Sequence, residues 1–332
     1  MPLHTTTRAF IYIYEGTEGN YTTDDLKYRI TKDRIPIHDD IVLEIGEMVS
    51  DYINQTYDGT VYNTKPVWVT VVAQLYDDND VIISGSPKTY NYLALDGYGY
   101  FEEGINPELD KVVLQSNEDI YVEEGNSATV AIWAEGQPTI TLYSSSGSTI
   151  GTLTIQDNGN SNQKVQYVTF PSNCTKAIVD AANDETTLNI NYVCENIYTP
   201  YLVTFLNRYG VLQGLTFFKK SVENMAVQDE TFKGNILSVP NKNYSINEGQ
   251  RTRYNVNAQD SITLNTGYVD EDFNEAIEQL LLSSKAWIKY EGETLPIIPK
   301  TKAMAYKTEV NDKLINYSVT FDFAFDKVNL VR

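Results

Sequence analysis

The sequence predicts a mainly β chain with a few helices, an α+β protein built from antiparallel sheets and β-sandwiches. Three observations carry that expectation. Short runs rich in Val, Ile, Tyr, Thr and Phe recur along the 332 residues, separated by clusters of Gly, Asn, Asp and Ser. The stretch 201–218 reads as a β-hairpin turned at Asn207-Arg208-Tyr209-Gly210, because Asn and Gly tolerate the positive φ of a tight reversal. Few stretches repeat apolar residues at helical spacing.

The hairpin organises the rest. Its arms are apolar on both faces, through Leu202, Val203, Phe205 and Leu206, then Leu215, Phe217 and Phe218. Such strands need cover on two sides, inside a larger assembly of sheets or between subunits.

In chain order, RAFIYIY (8–14) is a first strand and 26–31 a second. Ile41, Ile45, Met48, Val49, Tyr52 and Ile53 then recur at helical spacing, with Asp39 or Asp40 as the N-cap and Gly46 as a weak point. Residues 67–76 (VWVTVVAQLY) form the strongest strand of this third, turning at Asp77-Asp78-Asn79-Asp80 and returning through 81–84. Asp96-Gly97-Tyr98-Gly99-Tyr100-Phe101 is a Gly-punctuated aromatic loop, of a kind that packs against a neighbour. Pro107 closes a first unit, 1–109.

Residues 110–195 change character. Short strands at 111–114, 128–133, 139–143, 152–155, 164–170, 176–180 and 187–192 alternate with turns every 8–12 residues or so, the pattern of a small sandwich, immunoglobulin-like in its architecture. Trp133 is its candidate core tryptophan. It precedes both Cys174 and Cys194, so the Cys…Trp…Cys order of antibody domains is absent.

The last unit, 196–332, contains the hairpin, further strands and one helix. In VDEDFNEAIEQLLLSSK, Phe273, Ala276, Ile277, Leu280 and Leu281 share a face, with Asp270, Glu271 and Asp272 in the first turn, where they complement the helix dipole. Residues 287–290 and 293–298 form a hairpin around Glu291-Gly292, and 304–307 a further strand. Tyr317, Val319, Phe321, Phe323 and Phe325 alternate with Ser318, Thr320, Asp322 and Ala324 as a half-buried terminal strand. The sandwich thus stands inserted between two sheet-plus-helix units.

Composition narrows the function classes. A hydrophobic content of 42% is enough for packed cores. The 25 Tyr, against 11 Phe and 3 Trp, suit half-buried sheets and subunit interfaces, or simply a high strand content. A net charge of −20, with no basic run, argues against direct nucleic-acid binding, since phosphate contacts require clustered Lys and Arg. No secretory signal and no apolar span of membrane length is present, so a chain made in a reducing cytoplasm, with Cys174 and Cys194 as free thiols, is expected. His4 and His38 have no second ligand nearby, and His38-Asp39-Asp40 reads as a solvated helix start. The acidic turns at 77–80 and 157–160 carry calcium-type residues without the spacing of a calcium loop. No catalytic motif, metal set or cofactor signature appears, so the expectation is a non-enzymatic protein without cofactors.

The hairpin FLNRYGVLQGLTFF, the ending KTEVNDKLINYSVTFDFAFDKVNLVR and the N-terminal unit from Glu44-Ile45-Gly46-Glu47 through Trp68 together resemble virion structural proteins of tailed bacteriophages. The likeness is to tail, baseplate or neck components of phages infecting Bacteroidetes-type hosts. The resemblance implies a subunit made in the bacterial cytoplasm and carried in the virion. It implies assembly into a ring with copies of itself and with other virion proteins, the immunoglobulin-like insertion being displayed on the particle, and it brings no catalytic residues. Tyr98, Tyr100 and Phe101 of the aromatic loop, with Arg208, Tyr209, Phe217 and Phe218 of the hairpin, are the candidate assembly-interface residues. The alternative is a carbohydrate- or cell-surface-binding module, since sandwiches rich in Tyr and Trp suit sugar stacking; a glycan hydrolase using a carboxylate pair ranks third.

Overall fold

Strand β1 (Thr6–Tyr14) buries alternate residues, Thr7, Ala9, Ile11 and Ile13, as its sequence pattern requires. It pairs antiparallel with β2 (Leu26–Asp33) on one side. After helix α1 (Gly46–Ser50), strand β3 (Val67–Tyr76) pairs on the other side, and β4 (Lys88–Ala94) adds to β3, giving the order β2-β1-β3-β4. Val49 and Ile53 pack over Ile11, Ile13, Val67, Val69 and Val71.

The structure, a computed structural model, describes residues 6–34, 41–181, 184–235, 246–247, 249–307 and 315–328. His4, His38, Asp39 and Asp40 lie outside these residues. Two expectations for this region change. The helix expected over 41–53 is reduced to the five residues of α1, with no side-chain cap on Ile45. Leu43, Ile45 and Met48 still pack on the same cluster, but largely from irregular backbone; Gly46 at the helix start weakens propagation. The return strand expected at 81–84 is only a bridge between Tyr76 and Ile82, because β4 takes the edge of β3 from Val67↔Ala94 to Ala73↔Lys88.

The sandwich comprises β5 (Asp119–Glu123), β6 (Thr129–Trp133), β7 (Thr139–Tyr143), β8 (Thr149–Thr154), β9 (Val165–Thr169), β10 (Lys176–Ala181) and β11 (Asp184–Val193). One sheet runs β5-β11-β10-β7-β8, with β5 parallel to β11, and the other is β6-β9. Val130, Ile132 and Phe170 meet Ile140, Leu142, Val179, Leu188 and Ile190 in one core. The expected strand at 111–114 is a single bridge, Val113 to Ile132. Trp133 is not the core tryptophan. On β6, Val130 and Ile132 point into the sandwich, so the pleat sends Ala131 and Trp133 outward, against Leu114, Val165 and Val211. Cys174 is buried in the core and Cys194 is exposed, and neither is in a disulfide.

The remaining strands are β12 (Tyr201–Leu206), β13 (Leu212–Phe217), β14 (Lys219–Lys233) and β15 (Arg251–Asn265), then, after helix α2 (Phe273–Leu282), β16 (Ala286–Tyr290), β17 (Glu293–Pro299) and β18 (Ser318–Phe323). They form one sheet in the order β13-β12-β16-β17-β18-β15-β14. The hairpin arms match their sequence signal, and Val203, Phe205, Leu212 and Leu215 are buried within the chain itself. Helix α2 buries Phe273, Ala276, Ile277 and Leu280, the face read from its spacing. Residues 304–307 are irregular.

Mainly β, with eighteen strands and two α-helices among the described residues, the chain divides into two compact units. One comprises Met1–Val193 with Thr204–Leu215, the other Cys194–Val203 with Thr216–Arg332. The sequence boundary at 109/110 therefore falls inside the first unit, and the hairpin turn is grouped with that unit.

Candidate assembly surface

The site is built on the turn of the β12–β13 hairpin, and Asn207 is its keystone. Fully buried, its carboxamide oxygen accepts from the Tyr209 N–H (3.0 Å) and the Val211 N–H (3.3 Å), so the side chain closes the turn. Its amide nitrogen donates to the Leu114 carbonyl (3.0 Å) and to Gln213 Oε1 (3.0 Å). Gln213 extends the network. It accepts from the Ser116 N–H (3.1 Å) and donates to Ser116 Oγ (2.6 Å) and Asn117 Oδ1 (3.0 Å). Buried polar groups satisfied in this way fix one geometry.

The aromatic loop lies back to back with that turn. The Tyr98 N–H donates to the Arg208 carbonyl (2.8 Å). Gly97 and Gly210 make the approach possible: a Cβ on Gly97 would stand 2.6 Å from the Arg208 carbonyl oxygen, and one on Gly210 2.7 Å from the Asp96 backbone. Gly210 also has φ +72°, the left-handed region that glycine enters without cost.

Arg208 then joins the two segments through its side chain. Its guanidinium hydrogen-bonds Glu103 (2.8 Å) and lies over the rings of Tyr100 (4.8 Å) and Tyr209 (5.7 Å). Tyr98 and Tyr100 meet edge to face at 5.9 Å, and the Lys111 ammonium also lies over the Tyr209 ring, at 5.8 Å. The Arg208 hydrogen bond holds the Glu103 carboxyl below its usual range. Beneath this, the Tyr167 hydroxyl accepts from the Leu212 N–H (2.8 Å) and bonds Thr64 Oγ1 (2.6 Å); burial pushes its pKa up to about 12.

What the loop presents outward is apolar. Phe101 is 103% exposed and Ile105 is 73% exposed. A short 3-10 turn, Phe101–Glu103, with Gly104 in the left-handed region after it, holds Phe101 at the surface while the carboxylate of Glu103 points back to Arg208.

Five of the seven residues singled out from sequence thus come together: Tyr98, Tyr100, Phe101, Arg208 and Tyr209. Phe217 and Phe218 do not join them. They are 1% and 3% exposed, and Phe217 packs edge to face on Phe321 at 6.2 Å. Consecutive apolar residues on a strand covered from both sides are interior whichever way they point, so they offer nothing to a partner. Sequence reading missed Glu103 and Ile105, and it took Asn207 only as a turn residue of positive φ, whereas the positive φ falls on Gly210 and Asn207 acts through its buried side chain. Its place in the adjacent pair Glu102-Glu103, just after the aromatic loop, is the only trace that Glu103 leaves.

No protein-family model matches the chain, and no curated protein matches its sequence. The arrangement therefore stands on its own chemistry.

Elsewhere, carboxylates of the acidic turns are turned toward their own backbone. Asp77 Oδ1 accepts from the Asn79 and Val81 N–H groups (both 2.9 Å), and Asp157 bonds the Gly159 N–H (3.0 Å) and Lys164 Nζ (2.5 Å). Among the described residues, no group of three or more His, Cys, Asp and Glu side chains is placed to hold a metal, and no helix is long and apolar enough to cross a membrane.

Proposed function

We propose that this chain is a structural subunit that assembles with copies of itself and with other proteins of a phage particle, in its tail, baseplate or neck. The observation that supports self-assembly is Phe101. A large aromatic side chain is ordinarily tucked away; this one is fully exposed, on a loop whose backbone is packed against a hydrogen-bonded turn and whose flank is held by Arg208 and Glu103. An aromatic presented on a positioned backbone and flanked by an arginine is the composition of an interface hot spot, because little backbone ordering entropy is lost when a partner covers it. The placement in a tailed-phage particle is supported by the resemblance of the hairpin and the terminal strand, and display of the sandwich follows from that placement.

Mass photometry of the purified protein tests the assembly. Oligomers are expected, and Phe101→Ala is expected to weaken them about tenfold while changing folding stability by less than about 0.5 kcal/mol. A wild-type protein that stays monomeric at every concentration overturns the reading. Mass spectrometry of particles from a host lysate tests the placement; particles lacking the chain refute it.

A further inference from the structure

The β14–β15 ladder is longer than the sheet that carries it. Strand β18 pairs with β15 only from Ser261 to Asn265, whereas β14 and β15 stay paired out to Lys233↔Arg251. Beyond that root the two strands form a bare ribbon, exposed at every residue of 223–233 and 251–256. Met225 (58% exposed), Phe232 (52%) and Tyr254 (46%) are among the side chains it leaves in water. An isolated two-stranded ribbon is marginal in water, so an exposed ribbon with apolar side chains calls for a partner.

Charge identifies the partner. In a chain of net charge −20, the far end of the ribbon carries Lys233, Arg251 and Arg253. Asp229 neutralises Arg253 (2.9 Å), but among the described residues no carboxylate pairs with Lys233 or Arg251. At the root of the same ribbon lies an open cleft of about 450 Å³, lined by Glu223, Asp260, Glu291, Tyr290, Phe323 and Phe325. Tyr290 donates to Glu223 (2.9 Å) and Lys327 answers Asp260 (2.5 Å), which leaves Glu291 without a basic partner among the described residues. Carboxylates beside aromatic rings are the surroundings that receive a guanidinium or ammonium group.

The end of a ribbon cannot reach its own root. Eight residues separate Met225, at the cleft, from Lys233, about 26 Å of extended strand. The bulge between Gln228 and Glu230, with Asn255 at φ +50°, interrupts the ladder and discourages edge-to-edge pairing of two ribbons along their length. We propose that the β14–β15 arm of one copy seats its basic end in the acidic, aromatic cleft at the root of the arm of a second copy. The contact joins two different surfaces, so repetition closes a ring or extends a filament. The inference deepens the assembly reading above and rests on it.

Sedimentation velocity on the full chain separates the two. The pair Lys233→Glu with Arg251→Glu, and Glu291→Lys alone, are each expected to raise the concentration of half-assembly about tenfold, and the chain carrying all three to recover most of that loss. All three positions are exposed, and unchanged circular dichroism and melting confirm that each variant is folded. A wild-type chain that never oligomerises overturns the assembly reading and the arm together. Oligomers that either reversal leaves unchanged overturn the arm alone, and loss without recovery in the triple variant overturns the direct contact between arm and cleft.

Discussion

Arg208 and Glu103 show how much of the candidate surface depends on single contacts. Glu103 is lowered from its ordinary value of 4.5, first by the Arg208 hydrogen bond. A carboxyl whose folded value lies below its unfolded one contributes in full above the unfolded value, and that contribution is lost as pH falls through the folded value. As pH falls through that lowered folded value, the Arg208 side chain is therefore expected to be released from the loop before the hairpin itself is disturbed. Carbon-13 NMR titration of the Glu103 carboxyl checks this. The midpoint should lie below 4.5 and rise in Arg208→Ala; a wild-type midpoint at the ordinary value would show that Arg208 does not hold the carboxylate in solution. From sequence, Arg208 was legible as a turn residue, but its partner was not, since 105 positions separate them.

Among the elements, the hairpin turn and the aromatic loop are positioned by backbone rather than by side-chain affinity. Gly210→Ala places a methyl 2.7 Å from the Asp96 backbone at a φ of +72°, so two costs add. We expect about 2–3 kcal/mol from urea denaturation. Gly147→Ala, where φ is +77° but nothing lies within 4 Å, is the control and should cost only about 1 kcal/mol. Equal losses at both sites would mean that the loop does not press on the turn. The two strands of the arm escaped sequence reading for a related reason. Alternation marks a strand only when one face is buried, and along 223–233 both faces meet water. The shortened α1 is the opposite error: a helical spacing of apolar residues was present, but irregular backbone delivers the same residues to the same cluster.

The net charge of −20 sets how copies of the whole molecule meet. At neutral pH they repel, so association needs local complementarity such as the basic end of the arm offers. Toward the sequence pI of about 4.4 that repulsion disappears. Light scattering is expected to rise as pH is lowered from 7 toward this value, with a solubility minimum near it; a flat profile would show that net charge does not control association. The sequence alone determined the mainly β class, the hairpin and its turn, the face of α2 and the presence of a sandwich, because periodicity and turn chemistry are local properties of the chain. Tertiary structure alone decided which aromatics are buried and which are presented. Phe217 and Phe101 look alike in sequence, yet one lies on a strand covered from both sides and the other on a loop held open by a distant arginine and two glycines, and burial of that kind depends on contacts between residues far apart in the chain.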